Sequence, residues 1–179
     1  DQLATIVKNR YPVFDLNKIY LDAYEEIITP GGERYPQANT NIRESVERGA
    51  LLINYVGHGG PVGWAHERIL NVSTIRNWRN FDRLPLFVTA TCDFAPFDDP
   101  SRISAGEWVL LSNQGGGIAL LTTTRTVFAN ENQNLNRAFY NVALQKDNNG
   151  KALTLGDMAR LTKNSPGVQS SSGNHRIFV

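Results

Sequence analysis

The sequence predicts an α/β fold with a mainly parallel sheet and helices on both faces. Three observations lead there. The runs Ala50-Leu51-Leu52-Ile53, Pro85 to Thr91 and Ile118-Ala119-Leu120-Leu121 are continuously apolar, as strands buried on both faces are. Segments with helical periodicity fall between them, the alternation that crossover connections require. Each run ends in glycine, cysteine or threonine, so the polar loops gather beyond the carboxyl ends of the strands, where open α/β sheets bind ligands.

In chain order, Leu3, Ile6, Val7 and Tyr11 recur at helical spacing and predict an opening helix that stops before Pro12. Lys18 to Leu21 reads as a short strand, and Thr29 to Arg34 as a loop by its Pro and Gly content. Asn39 or Thr40 is placed to cap a helix carrying Ile42 and Val46, ended by Gly49. A strand to Tyr55 or Val56 follows, then the loop Gly57-His58-Gly59-Gly60-Pro61-Val62-Gly63. Ser73 caps a short helix with Ile75 and Trp78. The strand to Thr91 leads into an acidic, proline-containing loop from Asp93 to Arg102. Ser104 to Asn113 is a helix with Trp108, Leu110 and Leu111 turned to a core, broken by Gly115-Gly116-Gly117. The strand to Leu121 ends in Thr122-Thr123-Thr124. Asn134 to Gln145 and Thr154 to Leu161 are further helices, and Arg176 to Val179 begins another strand.

With 179 residues, no internal repeat and no linker, residues 1–179 read as a single domain with a substantial core. The net charge of +1 gives no basic field for nucleic acid. No apolar run reaches bilayer-spanning length. One cysteine excludes an intrachain disulfide and a thiolate zinc site, and His58, His66 and His175 lack zinc-ligand spacing. No cofactor is called for. The chain opens inside a helical pattern, which reads as an excised fragment truncated at both ends.

The chemistry centres on two strand ends. His58 lies between Gly57 and Gly59, and Cys92 closes the next strand. A lone His and a lone Cys there form a candidate base and nucleophile. Gly59 N–H and Cys92 N–H are candidate oxyanion donors, given neighbouring strand ends. The alternatives are a turn histidine with a satisfied ring and a cysteine serving as a small hydrophobe. Gly57 to Gly63 fits neither the dinucleotide fingerprint nor the P-loop. His66 and Glu67 read as a solvated edge, and Asp93, Asp98 and Asp99 lack the EF-hand pattern. Thr122, Thr123, Thr124 and Arg125, with Phe128, follow the next strand and are candidates for the substrate pocket. The threonines can equally complete the strand.

Strand, His-Gly, strand, Cys is the layout of the caspase-like cysteine peptidases. Within them Asn54-Tyr55-Val56-Gly57-His58-Gly59 resembles the gingipain family, C25. Further stretches resemble its PorU sortase branch: Phe97-Asp98-Asp99-Pro100, Ser104-Ala105-Gly106-Glu107, Gly116 to Arg125, Leu135 to Tyr140 and Leu155 to Asn164. This resemblance covers most of the chain. It implies a caspase/gingipain-like fold and acyl transfer through a Cys92 thioester, with His58 as general acid–base and the Gly59 and Cys92 amides as oxyanion hole. It implies cleavage of the C-terminal signal domain from type IX secretion cargo and transfer of the new carboxyl end to a lipopolysaccharide amine. Other type IX secretion components would be partners, and the site of action the outer membrane or cell surface. An acid orienting His58 is expected upstream, Asp1 being a candidate. Two alternatives stand beside this reading, a gingipain-type endopeptidase that only hydrolyses and a non-catalytic binding or scaffold domain.

Overall fold

The structure, a computed structural model, describes residues 2–169 and 178–179. The elements run α1 (Gln2–Arg10), β1 (Ile27–Thr29), β2 (Gly32–Arg34), α2 (Pro36–Arg48), β3 (Leu52–Val56), β4 (Gly59–Gly60), β5 (Gly63–Trp64) and β6 (Leu70–Asn71). There follow α3 (Val72–Arg76), β7 (Leu86–Ala90), α4 (Ala105–Leu111), β8 (Ala119–Leu121), α5 (Ala129–Val142), α6 (Leu155–Lys163) and α7 (Pro166–Gln169). Two compact units emerge: one spans Ile19–Val127 with Phe178–Val179, the other holds α1 and the helices after Phe128.

The larger unit is built on the expected parallel sheet, in the order β3-β7-β8. Ile53 faces Phe87 and Tyr55 faces Thr89 across β3 and β7, while Leu120 faces Phe87 across β7 and β8. Because side chains alternate along a strand, these residues share one face. On that face lies the core: Ile42 and Val46 of α2, Ile75 of α3, Val109 of α4, and Trp64, Trp78, Phe87 and Phe94. Burying one such aromatic side chain contributes about 1.5–3 kcal/mol. Beyond β8, Thr122 and Val179 exchange two backbone hydrogen bonds of 2.9 Å, and Thr123 bridges antiparallel to Phe178. Of the strand expected from Arg176, the part before Phe178 lies outside the described residues.

Several elements differ from expectation. Ile19 and Leu21 anchor on the core without forming a strand, and Leu21–Ala23 is a single 3-10 turn. The segment read as a loop at Thr29 to Arg34 is the tip and second arm of a hairpin. Thr29 Oγ1 donates to Gly32 O at 2.8 Å and accepts from Gly31 N–H, and Gly32 adopts φ 102°. The β1–β2 pair needs the left-handed backbone that Gly allows there. α2 starts earlier than Asn39 because Pro36 takes its first turn, where a missing N–H costs nothing. Asn71, not Ser73, caps α3 by accepting from Thr74 N–H. On α4, Leu110 and Leu111 are exposed and Val109 turns inward. α4 itself starts as expected at Ser104, through a complete capping box with Glu107.

In the smaller unit α5 packs against α1, α6 and α7. It begins at Ala129, ahead of the expected Asn134, and buries Leu135, Ala138, Phe139 and Tyr140. Gln2 Oε1 accepts from Arg137 at 2.9 Å, pinning α1 to α5. Thr154 caps α6 as expected, accepting from Asp157 N–H.

Candidate active site

His58 and Cys92 are set by one register. The last paired rung of β3 and β7 is Val56 opposite Ala90, and Gly57 N–H still donates to Ala90 O at 3.3 Å. His58 and Cys92 each stand two residues beyond that rung, at the carboxyl edge of the sheet. His58 is exposed and Cys92 half-buried.

The backbone at His58 is held from two sides. Its carbonyl accepts from Tyr55 Oη at 2.7 Å and from Ala65 N–H at 2.8 Å. Tyr55 is itself fixed by stacking on Trp64, ring centroids 4.3 Å apart and nearly parallel. Burial, then the nearby Glu67 carboxylate, pushes the Tyr55 phenol well above its ordinary range, so it remains a donor at any physiological pH. Gly57 leaves the space this ring occupies: a Cβ there would lie 2.6 Å from Tyr55 Oη.

Gly59 begins a small antiparallel hairpin with β5, paired with Trp64. The Ala65-to-His58 bond makes the preceding pair a hydrogen-bonded one. Antiparallel ladders alternate, so Gly59 N–H points away from β5. Its Cα rests on Thr91, the neighbour of Cys92: a Cβ on Gly59 would sit 2.3 Å from Thr91 Oγ1. This contact ties the two strand ends together. Thr91 is wholly buried, and its hydroxyl has no hydrogen-bond partner among the described residues.

Cys92 Sγ donates to Val127 O at 3.5 Å rather than to the imidazole, so the thiol must rotate to meet a base at His58. Apo geometries of such pairs are often loose. Asp93 follows in the left-handed region, φ 45°, and swings the chain sharply away after the cysteine. Its carboxylate accepts from Thr126 Oγ1 at 2.9 Å. Ala95 N–H donates to Thr123 O and Thr123 Oγ1 to Thr91 O, so the strand ends of β7 and β8 are laced together.

A cavity of about 350 Å³ opens beside this loop, lined by Pro61, Asp93, Pro96, Asp98, Asp99, Thr124 and Arg125. Thr124 and Arg125 thus line a cavity. Thr122 and Thr123 are buried and turned to the scaffold, Thr122 by its 2.5 Å contact with Thr89 Oγ1. Arg125 forks onto both carboxylate oxygens of Asp98, whose pKa it holds below the ordinary value. Phe128 is exposed at the start of α5 and belongs to the other unit. Asp1 lies outside the described residues. His66 is exposed, with its ring centroid 5.8 Å from that of His58. Neither Tyr55 nor Thr91 is given a role at the site by the sequence. The one available signal was their placement, Tyr55 two residues before Gly57 and Thr91 one before Cys92, which a strand pattern reads as core filling.

The parallel sheet brings the glycine-bounded His58 and the strand-end Cys92 to the carboxyl ends of two neighbouring strands. The family model of peptidase family C25 matches residues 1–178, and the chain belongs to that family, the gingipain-type cysteine peptidases. Among solved structures it is similar to the Arg-specific cysteine proteinase gingipain R (RgpB). That match has a TM-score of 0.71 at 16% identity and covers 98% of this chain and 38% of that one. It is also similar to the complex of Porphyromonas gingivalis RgpB pro- and mature domains, with TM-score 0.55, 18% identity, and coverage of 61% and 26%. The chain therefore spans well under half of either relative. No curated protein matches it significantly. Among the described residues no helix is long and apolar enough to cross a membrane.

Proposed function

We propose that the chain is the catalytic domain of a cysteine peptidase/transpeptidase of the PorU sortase type, with Cys92 as nucleophile and His58 as general acid–base. The observation that carries this reading is the common register of the two residues, each two positions past the Val56–Ala90 rung, with Gly59 packed on Thr91. His58 takes the Cys92 thiol proton, and the thiolate attacks a cargo peptide carbonyl. The tetrahedral oxyanion is held by the Gly59 and Cys92 amides, and His58 returns the proton to the departing amine. A thioester remains on Cys92. A second amine then attacks it and regenerates the thiol. In this reading the first substrate is a type IX secretion cargo cleaved before its C-terminal signal domain. The acceptor is an amine of lipopolysaccharide, other components of that system are partners, and the site is the outer membrane or cell surface. The stretches resembling the sortase branch, spread from Phe97 to Asn164, support that refinement.

The gingipain-type alternative uses the same dyad and lets water resolve the thioester; the likeness to gingipain R favours it. Mass spectrometry of the new cargo C-terminus separates the two. With full-length protein, cargo and abundant amine acceptor, an amide-linked conjugate is expected. Free carboxylate alone, with processing complete, refutes the sortase reading and leaves the hydrolase.

A further inference from the structure

The mechanism above uses one of two neighbouring imidazoles. His58 and His66 are both exposed, and their ring centroids lie 5.8 Å apart at an angle of 43°. The hairpin builds this proximity: Ala65 N–H donates to His58 O, and Ala65 takes the left-handed φ of 59° that turns the chain into His66. A non-glycine residue there costs about 1 kcal/mol or more, and the bond to His58 O offsets part of it. We propose that His58 and His66 form a two-imidazole site for a divalent transition metal, Zn²⁺ foremost, and that its occupation shuts off the His58 base.

Two imidazoles on one tetrahedral metal, with bonds of about 2.0–2.1 Å, place their ring centroids about 5–5.5 Å apart. The observed spacing exceeds that by a margin that small side-chain rotations of exposed rings remove. Imidazole suits zinc, copper and nickel and is a poor ligand for calcium or magnesium. Among the described residues no third acid, thiol or imidazole gathers with the pair, so water completes the coordination and the site is reversible. The lone pair His58 gives to the metal is the one it needs to take the Cys92 proton. That consequence rests on the dyad reading; the metal site itself does not.

The test uses full-length protein and ZnCl₂ as the probe. Calorimetry and histidine NMR are run on the natural sequence, His66→Ala and Cys92→Ala. Zn²⁺ is expected to shift the His58 and His66 ring signals together. His66→Ala should weaken binding about tenfold or more, keep basal processing and lose Zn²⁺ inhibition in parallel. Cys92→Ala should still bind Zn²⁺. Binding that survives His66→Ala but is lost in Cys92→Ala places the metal on the thiol and overturns the proposal. Absence of any ring shift at saturating Zn²⁺ overturns it equally. Inactivity of the natural protein would count against the dyad, while the binding measurements would still decide the metal site.

Discussion

Gly59→Ala is the sharpest perturbation of the site. Gly59 does not occupy the left-handed region, so its backbone accepts alanine. By itself the exchange would stabilise by about 0.4–1 kcal/mol through the unfolded chain. The obstacle is contact alone. The new Cβ would meet Thr91 Oγ1 at 2.3 Å, with Thr91 Cγ2 and Gly63 O each at 3.2 Å. Thr91 is fully buried and has nowhere to swing. Opening the contact by about 1 Å is overpacking, and about 1–3 kcal/mol of stability should be lost. The same displacement carries the His58–Gly59 backbone away from Cys92, and a shift of that size costs about 10²-fold in rate. Thr91→Ala removes both offending atoms together with an unpartnered buried hydroxyl, so alone it should be mild. In the double variant only the 3.2 Å approach to Gly63 O remains, which a shift of a few tenths of an ångström relieves. The coupling should be favourable by about 1–3 kcal/mol, with part of the activity restored. Urea titration followed by tryptophan fluorescence reads the four members of the cycle, Trp64 lying directly across from Gly59. Additivity within about 0.5 kcal/mol would refute the claim that Gly59 is required by contact with Thr91.

Other expectations follow from the same geometry. Cys92→Ala in the full-length protein should abolish processing with the fold intact by circular dichroism, and His58→Ala should cost far more activity than His66→Ala. Equal losses from the two histidines would mean that the wrong imidazole has been assigned. Tyr55→Phe removes one of two donors to His58 O and should cost about 0.5–1.5 kcal/mol, seen as a lower melting temperature with a fall in kcat. Ser104→Ala breaks the capping box of α4 and should cost about 1 kcal/mol in denaturant titration. Hydrogen bonds from Thr154, then Arg160, hold the Asp157 carboxyl below its ordinary value of 3.8. A depressed acid stabilises the fold above the unfolded value and loses that contribution as pH falls through the folded one. Stability should therefore decline from about pH 4 downward, less steeply in Thr154→Ala, and carboxyl NMR should show Asp157 titrating higher in that variant.

The parallel sheet was legible because buried strands are written as uninterrupted apolar runs, and Leu52–Val56, Leu86–Ala90 and Ala119–Leu121 all lie within or beside the expected ones. Helices announced by caps were legible too, as Ser104 and Thr154 show. The β1–β2 hairpin was not, because Pro30-Gly31-Gly32 reads equally as a loop and its arms expose Ile27 and Ile28. Leu110 and Leu111 misled because three adjacent apolar residues on a short helix cannot all face one core, and sequence alone does not choose among them. At the site, His58 and Cys92 stood out by residue type and glycine context. Tyr55 and Thr91 did not, because their roles depend on which backbone atom lies across the gap, a relation between segments far apart in the chain. Arg125 was expected in the pocket, but its fork onto Asp98 was not read.

The His58 and Cys92 tethers also define a parity. Both residues fall two positions past a shared rung, in the segments that leave β3 and β7. Deleting or inserting one residue in either tether would leave the apolar runs, the glycines and the overall likeness to C25 peptidases untouched. It would nonetheless take one of the two residues off their common distance from the Val56–Ala90 rung. On the proposed dyad reading, related chains divide by this count: equal tethers keep the His and Cys level with each other, and an unequal count marks a copy that retains the scaffold and loses the pairing.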